Sequence, residues 1–141
     1  MRRLTIASLT ILASAGVLAS CATTGQPEQR SPEAQRELAR LLDGKVAGKP
    51  QSCLPTYRSQ DMVVIDENTL LFRDGANRVW RTELSGPCNG LGRPGTALLT
   101  KSFGGTGLCR GEIAQIVDTS QGFTVGSCGI GDFTPYTGSR R

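Results

Sequence analysis

Cysteine is the residue type in this chain whose placement most directly implies chemistry. There are five: Cys21, Cys53, Cys88, Cys109 and Cys128. The first ends the tetrapeptide Leu18-Ala19-Ser20-Cys21, directly after an apolar run from Leu4 to Val17 that follows Met1-Arg2-Arg3. Two arginines, a short apolar middle and small residues at a cleavage point are the parts of an export signal. A cysteine immediately after the small residues is the acceptor of a lipid chain, so Cys21 is expected to become the first residue of the mature protein. A plain secretory signal and a short buried helix are the competing readings. The apolar run is broken by Ser8, Thr10, Ser14 and Gly16, and it falls short of the roughly 20 apolar residues that a permanent spanning helix needs.

One acyl chain holds a protein to a bilayer only marginally, and stable anchoring takes two or more. The motif resembles that of the bacterial lipoprotein pathway, which supplies a diacylglyceryl group and usually a third chain. Ala22-Thr23 follow Cys21, with no Asp at the second mature position. That resemblance implies the outer membrane, facing the periplasm, and contact with the membrane through the lipid on Cys21.

With Cys21 assigned to lipid, an even set of four cysteines remains, and in an oxidising compartment such a set reads as two disulfides. Three pairings exist. Cys88 and Cys109 flank a probable strand that could run out and return. Cys53 precedes the first β run, Cys128 precedes the last, and sheets often join their first and last strands. The favoured scheme is therefore Cys53–Cys128 with Cys88–Cys109, each bridge being worth about 3 to 4 kcal/mol through loop closure. Structural zinc ligands usually come in pairs two to four residues apart. The chain has no CxxC pair and no histidine, so no metal site, no cofactor and no redox catalyst is expected.

The missing histidine also removes the commonest general base near neutral pH and any Ser/His/Asp or Cys/His arrangement within the chain. A Ser/Lys pair would draw on Lys45, Lys49 or Lys101, none of which lies in a known motif. Glu112 and Asp118 fall at strand ends, where solvated carboxylates are ordinary. Asp66, Glu67 and Asp74 read as turn residues. Gly104-Gly105-Thr106-Gly107 is glycine-rich, but a phosphate cradle needs a helix after it, and a β-patterned run follows. No catalytic residue is assigned.

Charge narrows the partners. Without Arg2 and Arg3 the 16 basic residues fall to 14, against 12 acidic ones. The excess is small, the basic positions are scattered and aromatic residues are few. A nucleic-acid surface would cluster them, so no nucleic-acid partner is expected.

These residues sit on a simple predicted plan. Residues 1–20 are the signal and residues 21–30 a polar tether. Ser31-Pro32-Glu33 opens a short helix over residues 31–44, with Ser31 capping, Pro32 in the first turn and Glu33 at the positive end. Ala34, Leu38, Leu41 and Leu42 form its apolar stripe, and Asp43-Gly44 stops it. From Cys53 the texture turns to short β runs: Met62–Ile65 and Thr69–Phe72 as a hairpin, Arg78–Thr82, Ala97–Phe103, Leu108–Asp118, Phe123–Val125, and a closing segment from Cys128. Trp80 is expected in the core. Residues 51–137 are thus read as a mostly β domain, a small antiparallel sheet or partly closed barrel stapled by disulfides and preceded by one amphipathic helix.

Cys53-Leu54-Pro55, the hairpin ending at Phe72, Pro87-Cys88-Asn89-Gly90-Leu91, Leu108-Cys109-Arg110-Gly111-Glu112-Ile113 and Cys128-Gly129-Ile130-Gly131-Asp132-Phe133 occur in that order. Together they resemble a family of small exported proteobacterial proteins without an assigned function. The resemblance spans about Gln51 to Pro135 and rests on the four cysteine positions. It implies the β fold and the disulfides, and no activity.

The expectation for function is a non-enzymatic envelope lipoprotein, acting in binding or assembly with an envelope protein. The alternative is a small envelope enzyme or enzyme inhibitor that uses carboxylates or an exposed hairpin such as Leu71–Arg81. A deep pocket holding Glu112 or Asp132 beside Arg110 favours the enzyme. A sheet with an exposed apolar strip favours the binding module.

Overall fold

The computed structural model describes residues 30–55, 61–86, 88–100 and 107–138. One helix, α1 (Pro32–Leu42), precedes seven strands: β1 (Lys45–Ala47), β2 (Met62–Asp66), β3 (Thr69–Asp74), β4 (Arg78–Ser85), β5 (Thr96–Thr100), β6 (Ile113–Asp118) and β7 (Thr124–Gly138). The helix forms where the sequence expects it. The Ser31 hydroxyl accepts from the Ala34 N–H at 3.2 Å, and Gly44 leaves the helix at φ 66°, a conformation that costs a residue with a Cβ more.

The strands form a curled antiparallel half-barrel in the order β2-β3-β4-β7-β6-β5, with β1 added to β7. The mostly β, disulfide-stapled fold is therefore the one expected. The inner face holds the main core, including Leu54, Leu70, Phe72, Trp80, Leu108, Ile116 and Phe133. On the outer face α1 lays Ala34 and Leu38 against Ile65, Leu71 and Val79. This explains why Leu70-Leu71-Phe72 is a continuous apolar run: β3 is covered on both faces. In β6, by contrast, Ala114 and Ile116 are buried while Ile113 is exposed, the alternation of a strand covered on one side.

Two elements depart from the expected plan: β1, a strand ahead of the expected β region, and the last strand. Phe123–Val125 and the segment from Cys128 do not form two short pieces but one strand of 15 residues, β7. Gly126, Gly129 and Gly131 look like breaks in the sequence, yet here they are positions of close approach. A Cβ on Gly126 would lie 2.6 Å from the Asn89 carbonyl oxygen, and one on Gly131 would collide with the Glu83 carbonyl oxygen. Pro135 is tolerated because its carbonyl accepts from the Gly48 N–H at 2.7 Å. Its missing N–H faces that same side, so the ladder to β4 loses nothing.

The partner of β4 shifts from Phe133 (opposite Thr82) to Ile130 (opposite Leu84), so two residues of β7 face the single residue Glu83. This bulge bends β7. Its first half pairs with β6 and its second half with β1, both on the edge away from β4. Gly131→Ala, which puts a methyl group into the Glu83 backbone at the bend, is expected to cost about 1 to 3 kcal/mol. Urea unfolding measures it, and an unchanged midpoint would refute the close-approach role of Gly131.

Candidate functional site

The two disulfides join different partners from those the sequence favours. Cys53 bonds Cys109 and Cys88 bonds Cys128, so the expected pairs Cys53–Cys128 and Cys88–Cys109 are corrected. The reason lies in β7. The first and last strands do meet, as β1 and β7, but the chain then follows the β7 edge through Gly48 and Gln51. It passes beyond β7 and pairs with Leu108–Arg110. Leu54 N–H donates to Leu108 O at 2.8 Å and Arg110 N–H to Ser52 O at 2.7 Å, leaving Cys53 and Cys109 directly opposite each other. Ser85 pairs with Gly129, so Cys88, just past the end of β4, folds back over Cys128. Cys88 and Cys128 are 0 % and 4 % exposed and belong to the core, whereas Cys53 is exposed. Cys21, the expected lipidation site, lies outside the described residues, as do the signal and the tether up to residue 29.

The carboxylates considered for chemistry fall into separate places. Glu112 accepts from the Cys109 N–H at 3.1 Å and closes the turn before β6. Arg110 and Asp132 meet at 3.3 Å with their side chains largely in solvent. Asp118 caps the β6–β7 turn by accepting from the Ser120 hydroxyl and the Ser120 and Gln121 N–H groups. Those bonds, the hydroxyl foremost, hold its carboxyl below the ordinary range. Lys45 stands in β1. Lys101 and Gly104-Gly105-Thr106 lie outside the described residues. The Leu71–Arg81 hairpin is not the exposed element that the inhibitor reading needs. Its strands lie inside the sheet, with Leu71, Phe72, Val79 and Trp80 buried, and only its tip reaches solvent. Trp80 is a core residue, as expected, and its indole N–H donates to Asp74 at 3.0 Å.

Sequence reasoning missed a polar chain across the outer face. Arg30, read as the end of the tether, donates from Nε to Asp66 at 2.5 Å and from its terminal nitrogen to the Thr69 hydroxyl at 2.6 Å. Thr69, fully buried, donates to Glu83 at 3.1 Å, and Glu83 pairs with Arg81. Thr69 and Glu83 are register partners across β3 and β4, so their half of the chain could have been found by aligning the two hairpins. The Arg30 contact could not, because it spans 36 positions. Burial pushes the Asp66 carboxyl up. The hydrogen bonds from Arg30 and the Asn68 N–H, with the guanidinium charge, outweigh it and leave the pKa below its ordinary 3.8. At Arg81 burial lowers the pKa, and bonding to Tyr136 and Glu83 more than restores it.

An apolar strip also lies open. On the outer face of β5 and β6, Leu99 is 45 % and Ile113 55 % exposed. Ala97 is exposed and Val117 half-buried in the same stretch. Leu99 pairs with Gln115 and Ala97 with Val117, so these side chains share one surface, and α1 packs at the other end of the sheet.

The fold and its contacts define a class: a disulfide-stapled antiparallel half-barrel with one covering helix and an uncovered apolar strip. The chain belongs to the family of unknown function DUF6491, whose model matches residues 2–138. The resemblance seen in the cysteine frame holds at that level, a family without an assigned function with two disulfides in the fold. No curated protein and no solved structure matches the chain.

A depressed carboxyl pKa stabilises the fold above the ordinary value and ceases to do so as pH falls through the folded value. Arg30→Ala is therefore expected to cost about 1 kcal/mol near neutral pH, the pair being partly screened. The difference from the parent should narrow below pH 3.8, as Asp66 protonates and only the bond to Thr69 is left. Thermal unfolding of both proteins across pH reads it, and a difference constant down to pH 2 would exclude the Asp66 contact.

Proposed function

We infer that the protein is a cell-envelope lipoprotein, held at the outer membrane facing the periplasm by lipid on Cys21. It acts without catalysis, as a binding or assembly module for another envelope protein. The observation that carries the binding role is the uncovered strip around Leu99 and Ile113. Exposed apolar residues grouped on one sheet face suit a protein partner. The Arg110–Asp132 pair, open to solvent, gives no enclosed site to the enzyme reading. The anchoring role rests on Leu18-Ala19-Ser20-Cys21 after an apolar run. The family match begins at residue 2 and so takes in this segment together with the β domain.

Two measurements test the halves separately. Cys21→Ala is expected to abolish acylation and move the protein out of the detergent phase, and an acylated Cys21→Ala protein would end the lipoprotein reading. For the binding half, a photo-crosslinking residue placed at Leu99 or at Ile113 in intact cells should trap one and the same envelope protein. The same residue at Arg36, on the exposed side of α1, should not. Ile113→Glu should reduce that capture at least tenfold while leaving thermal stability unchanged, because the side chain is exposed. Equal capture from Arg36 would refute the strip as the binding surface.

A further inference from the structure

We propose that Cys53–Cys109 is a thiol–disulfide exchange site, a clasp that a dithiol reductant opens while Cys88–Cys128 stays closed. The proposal does not depend on the lipid anchor or on the partner of the β5–β6 strip. Three observations carry it.

The two bridges differ in access. Cys88 and Cys128 are core residues at 0 % and 4 % exposure, whereas Cys53 is exposed and Cys109 half-exposed. An attacking thiolate must approach in line with the sulfur–sulfur bond, so access decides which bridge reacts.

The bridges also differ in what they hold. Cys88–Cys128 ties the end of β4 to β7 within the main core. Cys53–Cys109 fastens the segment from Gly48 to Leu54 along an edge. That segment makes three backbone hydrogen bonds to β7: Gly48 N–H to Pro135 O, Gln51 N–H to Phe133 O and Phe133 N–H to Gln51 O. Two more join it to Leu108 and Arg110. The Gly111 and Glu112 backbone keeps its own bonds to Ile130, so the β6 side of the ladder does not depend on the clasp.

Finally, the clasp is built to re-form. Cys53 and Cys109 are register partners between two backbone hydrogen bonds. When the segment settles back after reduction, that short ladder returns the thiols to opposite positions, and reoxidation is intramolecular.

The exchange balances as follows. A thiolate of the reductant attacks Sγ of the exposed residue Cys53, the sulfur–sulfur bond breaks, and Cys109 leaves as a thiolate that takes up a proton. The second thiol of the reductant then attacks the mixed disulfide and displaces Cys53, which is protonated in turn. The reductant ends as a disulfide, having given up two electrons and two protons. The outcome is a segment from Gly48 to Leu54 free to lift from β7, withdrawing Leu54, which is 1 % exposed, from the core.

The test treats the folded, oxidised protein with rising dithiothreitol, alkylates free thiols and maps them by peptide mass. Cys53 and Cys109 are expected to label at reductant concentrations about tenfold or more below those needed for Cys88 and Cys128, because buried bridges react only through opening of the fold. The near-ultraviolet signal of Trp80 should persist, and amide exchange should rise in residues 48–54 and 130–136 but not in β2 and β3. Simultaneous labelling of all four cysteines, labelling of Cys88 and Cys128 first, or labelling only with loss of the Trp80 signal would each overturn the proposal. The double variant Cys53→Ser, Cys109→Ser should fold and show the same local exchange without reductant. A variant that is globally unfolded would make this bridge a staple of the whole fold and overturn the clasp.

Discussion

The backbone of β7 must find partners on both edges over 15 residues, and most of the architecture follows from how it does so. Buried N–H and C=O groups left unpaired cost as much as lost hydrogen bonds. On one edge β4 pairs from Ser85 to Arg78, around the bulge at Glu83. No single strand borders the other edge. β6 covers Thr124 to Gly129, the Gly111–Glu112 backbone takes Ile130, Gln51 takes Phe133, Gly48 takes Pro135, and β1 takes Tyr136 to Gly138. Two distant stretches of chain, 45–51 and 111–118, are thereby brought to one line. Both disulfides lie beside that line, which is why they cross-link stretches 56 and 40 residues apart. Loop closure over such separations is worth about 4 kcal/mol per bridge, against a total stability of about 5 to 15 kcal/mol for a domain.

What the sequence revealed and what it hid divide along the same line. Local signals were legible. Ser31-Pro32-Glu33 starts α1, Asp66–Asn68 turns β2 into β3, and the alternation of Glu112 to Ile116 puts Ala114 and Ile116 inside. The cysteine count gave the number of bridges. The pairing was hidden, because it depends on which segments border β7, and β7 itself reads as two broken pieces. Gly126, Gly129, Gly131 and Pro135 are turn-like by composition. Their actual role, letting neighbouring backbone come close and sparing the β4 ladder, exists only once those neighbours are in place. Arg30 was hidden for the same reason, since a lone arginine in a polar stretch gives no sign of a carboxylate 36 positions on.

That arginine changes how the β domain joins the residues before it. Read as sequence, the tether ends at residue 30. In the fold Arg30 is already fixed, its guanidinium held between Asp66 and Thr69. The pairing reaches Glu83 and Arg81 through the buried Thr69 hydroxyl, so it grips three strands rather than one turn. An anchor at Cys21 would then be separated from a fixed point by nine positions, a reach of about 30 Å when fully extended. The β domain would work close to the bilayer surface.

The uncovered strip is a consequence of size. An α-helix rises 1.5 Å per residue, so the 11 residues of α1 span only about 16 Å. Strands lie about 4.8 Å apart, and six side by side present a surface of roughly 24 Å or more before curling. One short helix can therefore cover β2, β3 and β4, and its apolar stripe is spent on Ile65, Leu71 and Val79. The inner face needs no cover, because curling turns it onto itself around Phe72 and Phe133, whose rings lie 6.0 Å apart. The outer side of β5 and β6 is what remains. Leu99 and Ile113 lie there, 45 % and 55 % exposed, and the apolar surface they form is what the proposed binding role rests on.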